Sequence, residues 1–115
     1  RAFRETLGSV FAPRGFRTHL AADGEEALQI VRREEIHVVL LDWHMPRLGG
    51  LETMEAVHEL DARLPCVVIS GGLNEQLRRA ASAAQAFEIL DKPVELGAVT
   101  TVVDDAFRQT YDWVV

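Results

Sequence analysis

The chain has 115 residues, 48 % hydrophobic and 26 % charged, which is the composition of one soluble globular domain and excludes disordered or collagen-like chains. Its net charge of −6 argues against a domain whose main task is to coat nucleic acid or an anionic membrane. A single cysteine, Cys66, allows neither an intrachain disulfide nor a thiolate zinc cage, and suits a reducing, cytoplasmic setting.

Phe3, Leu7, Val10 and Phe11 recur at helical spacing before Pro13 and Gly15 end the pattern, so the chain opens on a predicted helix. Phe16 to Ala21 reads as a short strand. Asp23 with Glu26 three residues later forms a capping-box pattern for the next helix, whose buried face is Ala27, Leu28, Ile30 and Val31. Ile36 to Leu41 is nearly all apolar and β-branched, as in a strand buried on both faces of a parallel sheet. It leads into Asp42. Pro46, Gly49 and Gly50 mark a loop before a helix at about 51–61, with Leu51, Met54, Val57 and Leu60 inward.

Cys66 to Ser70 is a second buried strand, followed by Gly71-Gly72 and a helix at about 74–84. Phe87 to Leu90 gives a third, ending at Asp91-Lys92-Pro93. The closing helix, at about 95–111, carries Leu96, Val99, Val102, Val103, Ala106 and Phe107 as its apolar stripe. Strict helix and strand alternation with short connections predicts an α/β domain, a parallel sheet with helices on both faces. The longest purely apolar runs are four residues, far short of the roughly 20 of a membrane-spanning helix, and no secretory signal is visible.

Ligands of open α/β sheets bind beyond the carboxyl ends of the strands. Those ends carry Asp42, Ser70 and Lys92. Singly, each has a bland reading, as turn residue, turn hydroxyl and solvated cation. Together, a carboxylate, a hydroxyl and an ammonium at three strand ends point to one shared anion or metal-bound group. Lys92 is also the one lysine among 12 basic residues.

The segments VVLLDWHMPRLGGLE (Val38 to Glu52), VVISGG (Val67 to Gly72) and ILDKP (Ile89 to Pro93) resemble the receiver domain of two-component response regulators, over essentially the whole chain. The resemblance implies a flavodoxin-like doubly wound sheet. It makes Asp42 the phosphoacceptor, charged by a histidine kinase or phosphotransfer protein in an in-line phosphoryl transfer that depends on positioning and charge neutralisation. It gives Lys92 an ion pair with Asp42 at rest and a phosphoryl oxygen afterwards, and makes Ser70 the switch hydroxyl. Gly71 leaves room for the anion, and Pro93 follows a cis peptide bond. His44 lines the entrance, and its backbone carbonyl, with the Asp42 carboxylate, faces a Mg²⁺ ion. Self-catalysed phosphoryl transfer and dephosphorylation are the only chemistry implied; the domain is otherwise no enzyme.

Three positions depart from the family. Receivers open on a central strand ending in two acids that bind Mg²⁺, and nothing before Arg1 supplies it. Glu5 and Asp23 do not match that pair. Either residues 1–115 are an N-terminally incomplete receiver domain, which the cost of an unpaired sheet centre favours, or the strand is naturally absent and a homodimer partner supplies the pairing. Mg²⁺ binding is then expected to be weak or absent. Ile89 replaces the common aromatic gate, and Gln85 a common Gly, which predicts a differently shaped helix end. These departures keep open a phosphorylation-independent interaction or dimerisation module. A small hydrolase or nucleotide binder has no G-x-G-x-x-G, P-loop or G-x-S-x-G support. Nucleic-acid and membrane contacts are not expected of this domain.

Overall fold

The computed structural model describes residues 23–43, 49–72 and 74–112. The opening helix and the strand expected at Phe16 to Ala21 lie outside them. In chain order the described elements are α1 (Gly24–Arg33), β1 (Val39–Asp42), α2 (Gly50–Leu60), β2 (Cys66–Ser70), α3 (Glu75–Ala83), β3 (Glu88–Asp91) and α4 (Leu96–Tyr111). The three strands lie side by side in the order β1-β2-β3, all parallel.

Local chemistry sets the helix starts. The Asp23 carboxylate accepts the Glu26 amide at 2.9 Å and Asn74 accepts the Leu77 amide at 2.8 Å, so each satisfies a donor that the first turn leaves free. Acidic residues in the first turn of α1 and arginines in its last complement the helix dipole.

Register then sorts the strand side chains into two cores. Val39 pairs with Cys66 and Leu41 with Val68, and these four face Leu28 of α1, Met54 and Val57 of α2 and Ala81 of α3. On the opposite face Val38, Leu40 and Leu90 pack on Val99, Val103 and Phe107 of α4. Both faces of the sheet are therefore covered, as the apolar run of β2 demands: all five of its residues are buried.

Several boundaries differ from the sequence reading. β1 starts at Val39 rather than Ile36 because its partner strand begins only at Cys66; the first ladder bond runs from the Val39 amide to the Pro65 carbonyl, 2.9 Å. Phe87, read as the first residue of the third strand, is half-buried and precedes β3, its amide donating to the Cys66 carbonyl at 2.8 Å. Leu60 and Leu96, at the ends of their helical stripes, overhang the core and are exposed. Gln85 adopts φ 67°. The end of α3 thus keeps the left-handed shape that glycine takes freely, contrary to the expected change of shape, and glutamine bears the steric cost.

Candidate functional site at the carboxyl edge of the sheet

Asp42 is the last residue of β1, in register with Ile69. The next residue extends the ladder: the Trp43 amide donates to the Ile69 carbonyl at 2.8 Å, so the backbone around Asp42 is fixed from both sides. Trp43 also anchors the start of α2. The Gly50 amide donates to the Trp43 carbonyl at 3.2 Å, and a Cβ on Gly50 would lie 2.8 Å from the Trp43 Cα. Only glycine permits that approach, which gives Gly50 a structural reason that the sequence pattern left unspecified.

One strand over, Ser70 ends β2 fully buried, and its Oγ accepts the Gly72 amide at 3.2 Å. This turn keeps the hydroxyl at the edge of the sheet. Lys92 follows β3, and its backbone amide donates to the Ser70 carbonyl at 2.9 Å. Gly71 lies beneath the lysine stem: a Cβ there would meet Lys92 Cδ at 3.6 Å. The Lys92–Pro93 peptide bond is cis, as the family resemblance implied.

These placements carry the lysine across the β2 end to β1. Lys92 Nζ donates to Asp42 Oδ2 at 2.8 Å, linking residues 50 positions apart. The two side chains are 39 % and 40 % exposed, open enough for an incoming group to reach the carboxylate. A charge-assisted bond in that setting contributes little to stability, because water screens both partners. Asp42, Ser70, Gly71 and Lys92 are thus brought to one edge. His44 and Pro46 lie outside the described residues.

The other candidates are elsewhere. Asp23 is 1 % exposed and occupied as a helix cap, and no three His, Cys, Asp or Glu side chains converge on a metal position among the described residues. Burial pushes the Cys66 thiol up to about 12, which removes it as a nucleophile. His37 lies beside Glu35 at 3.7 Å and edge-on to Tyr111, and His58 contacts two backbone carbonyls; neither approaches Asp42 as a strand-end neighbour does. No helix among the described residues is long and apolar enough to cross a membrane.

A family model described as the response regulator receiver domain matches residues 1–104. The chain belongs to that family. It is 34 % identical over 110 residues to the response regulator MprA of Mycobacterium leprae, covering 96 % of this chain and 48 % of that protein. The chain therefore spans about half the length of that curated relative. Among solved structures, a CheY-like receiver domain protein from Methanospirillum hungatei superposes with a TM-score of 0.91 at 19 % identity, covering 96 % of this chain and 89 % of that one. The receiver domain of NtrX from Brucella abortus gives 0.85 at 25 % identity, covering 93 % and 91 %. The fold is the flavodoxin-like, doubly wound fold of receivers, and the closing helix, the buried central strands and the strand-end triad fall where the sequence pattern put them.

Proposed function

We propose that this receiver domain is a phosphoacceptor in a two-component phosphorelay, taking a phosphoryl group onto Asp42 from the phosphohistidine of a histidine kinase or phosphotransfer protein. The observation that carries this reading is the 2.8 Å contact between Lys92 Nζ and Asp42 Oδ2 at the carboxyl edge, with the Ser70 strand end between them.

The chemistry follows from that arrangement. A carboxylate oxygen of Asp42 attacks the donor phosphorus in line, forming the acyl phosphate O–P bond as the donor P–N bond breaks; the electron pair leaves with the imidazole of the donor. Charge builds on the phosphoryl oxygens, and the Lys92 ammonium, already beside the carboxylate, needs only a small reorientation to meet one of them. The Ser70 hydroxyl is a neighbouring donor for a second oxygen, and Gly71 adds no side chain where the anion would sit. The Asp42 carboxylate is an oxygen ligand of the kind Mg²⁺ takes and would help to hold that ion at this edge, and no step above depends on it. Turnover of a diffusible substrate is not part of this reading, and the location it suits is the cytoplasm.

Incubation with acetyl phosphate, with and without Mg²⁺, followed by intact mass measurement tests it. One phosphoryl adduct per chain, absent from Asp42→Asn, is the expected result. No adduct, or an adduct that survives Asp42→Asn, overturns it.

A second reading is favoured by one feature. Ile89, where an aromatic gate is common, packs half-buried against the first core cluster, and an aliphatic side chain there has no ring to rotate. On that reading the domain binds a partner or a second copy of itself irrespective of phosphorylation. Partner binding or dimerisation unchanged by Asp42→Asn would select it.

A further inference from the structure

The end of α1 and the end of α2 leave a groove between them at the amino end of the sheet. Its floor is apolar: Val31 of α1, Ile36 on the approach to β1, Leu60 of α2 and Leu64 on the approach to β2. Leu60 is 47 % exposed, the more open of the two large apolar side chains exposed among the described residues, and it stands at the groove. The groove holds about 180 Å³, below the roughly 300–1,000 Å³ of small-molecule pockets, so it has room for one or two side chains rather than for a cofactor.

The rim is acidic. Glu34 and Glu35 stand on the α1 side and Asp61 on the α2 side; the Glu35 side chain is 85 % exposed, and Asp61 is exposed as well. Among the described residues no lysine or arginine lines the groove. Arg63, two positions past Asp61, reaches instead to the Thr110 carbonyl at 2.8 Å and over the Tyr111 ring, while Arg32 and Arg33 are exposed outside the groove on the last turn of α1. Glu35 lies 3.7 Å from the His37 ring and Asp61 accepts the Arg63 amide at 3.0 Å, contacts that leave both carboxylates facing water.

We propose that this groove docks a basic, apolar segment of a partner protein, one in which an arginine adjoins a leucine or a similar aliphatic side chain. Arginine carries an aliphatic stem beneath a charged head, so the stem and its apolar neighbour cover the floor while the guanidinium meets the carboxylates of the rim. The net charge of −6 favours a cationic partner and disfavours a second copy of this chain. The groove lies before the first residues of β1 and β2, whereas Asp42 ends β1. A segment seated there leaves the carboxyl edge open, and its docking does not depend on chemistry at Asp42.

Titration of the nitrogen-15-labelled protein with the blocked peptide acetyl-Ala-Arg-Leu-Leu-Arg-Ala-amide, followed by amide NMR shifts, tests the proposal. Saturable shifts at residues 31–36 and 60–64, with none at Ser70, Gly71 and Lys92, are expected, and binding should weaken as salt is raised because the rim is exposed. The same peptide with glutamine for arginine, or with serine for leucine, should bind several-fold more weakly. In the protein, Leu60→Ser is expected to weaken binding roughly three- to tenfold and Glu35→Gln roughly two- to fivefold. Both side chains are exposed, so unfolding midpoints should stay near wild type, and the peptide comparisons need no variant. Absence of saturable shifts, shifts centred elsewhere, or equal binding by the glutamine peptide overturns the proposal. Concentration-dependent shifts at the same residues without peptide overturn it too, by making a second copy the occupant.

Discussion

The two ends of the sheet are built differently. At the carboxyl edge, Asp42 and Lys92 meet half-exposed, flanked by Gly71 and by the Gly50 approach to Trp43, so small residues dominate and one ion pair does the joining. At the amino edge, side chains reach long distances to backbone oxygens: Arg63 to the Thr110 carbonyl, His58 to Ala84 and Leu64, with Tyr111 held between the Arg63 guanidinium at 5.6 Å and the His37 ring at 5.5 Å. Burial and the nearby Asp61 carboxylate hold the Tyr111 phenol above its usual range, so it stays neutral in this brace. An edge that receives a charged group, as we propose for this one, has to stay open and polar; the opposite edge is free to use its polar groups to hold helices to strands.

The largest expected effect is at the open edge. Gly50→Ala puts a Cβ 2.8 Å from the Trp43 Cα and 3.1 Å from its carbonyl oxygen, backbone atoms that cannot swing aside. We expect a loss of about 1–3 kcal/mol of stability, measured by denaturant unfolding, together with slower phosphorylation of Asp42 as the adjoining loop shifts. Unchanged stability would mean that the start of α2 is not clamped to Trp43.

At the braced edge, Arg63→Ala removes both the Thr110 contact and the cation over the Tyr111 ring. Its expected cost is about 1 kcal/mol, with acetyl phosphate reactivity unaltered. That separation of stability from reactivity is the measurement that distinguishes the two edges. Gln85→Gly at the same edge works in the other direction. The backbone there already has the glycine conformation, so the substitution relieves a left-handed glutamine and should raise stability by about 0.5–1 kcal/mol, net of the entropy glycine adds to the unfolded chain.

What the sequence disclosed, and what it hid, follows the same division. Asp42, Ser70 and Lys92 were legible because buried apolar strands end at them, and a strand end is a local signal. The Asp23 cap was legible from another local signal, Glu26 three residues later. The His58 contacts were not: the ring meets the Ala84 carbonyl 26 positions away, and carbonyls carry no residue identity. His58 reads as an ordinary helix histidine until its neighbours are known. Trp43 was passed over because its use lies in its backbone, which receives Gly50. Strand limits shifted for a tertiary reason as well, since Val39 can pair only where Cys66 begins.

The smallest expected change in stability belongs to the residue pair on which the proposed phosphoryl transfer depends most. Lys92→Ala removes the partner of Asp42, yet both side chains are more than a third exposed, so water solvates the carboxylate left behind and the folding free energy should move by less than about 0.5 kcal/mol. On the proposed function phosphoryl transfer should fall steeply, because the cation that would meet the developing phosphoryl charge is gone while Asp42 itself remains. The two readouts are a denaturant midpoint close to wild type and a much reduced rate of adduct formation by intact mass. If stability fell by several kcal/mol instead, the ion pair would be a structural contact of the kind found at the amino edge, and the contrast between the two ends of the sheet would fail. If stability and adduct rate both stayed at wild-type values, Lys92 would have no part in the chemistry, and the openness of the carboxyl edge would need another explanation.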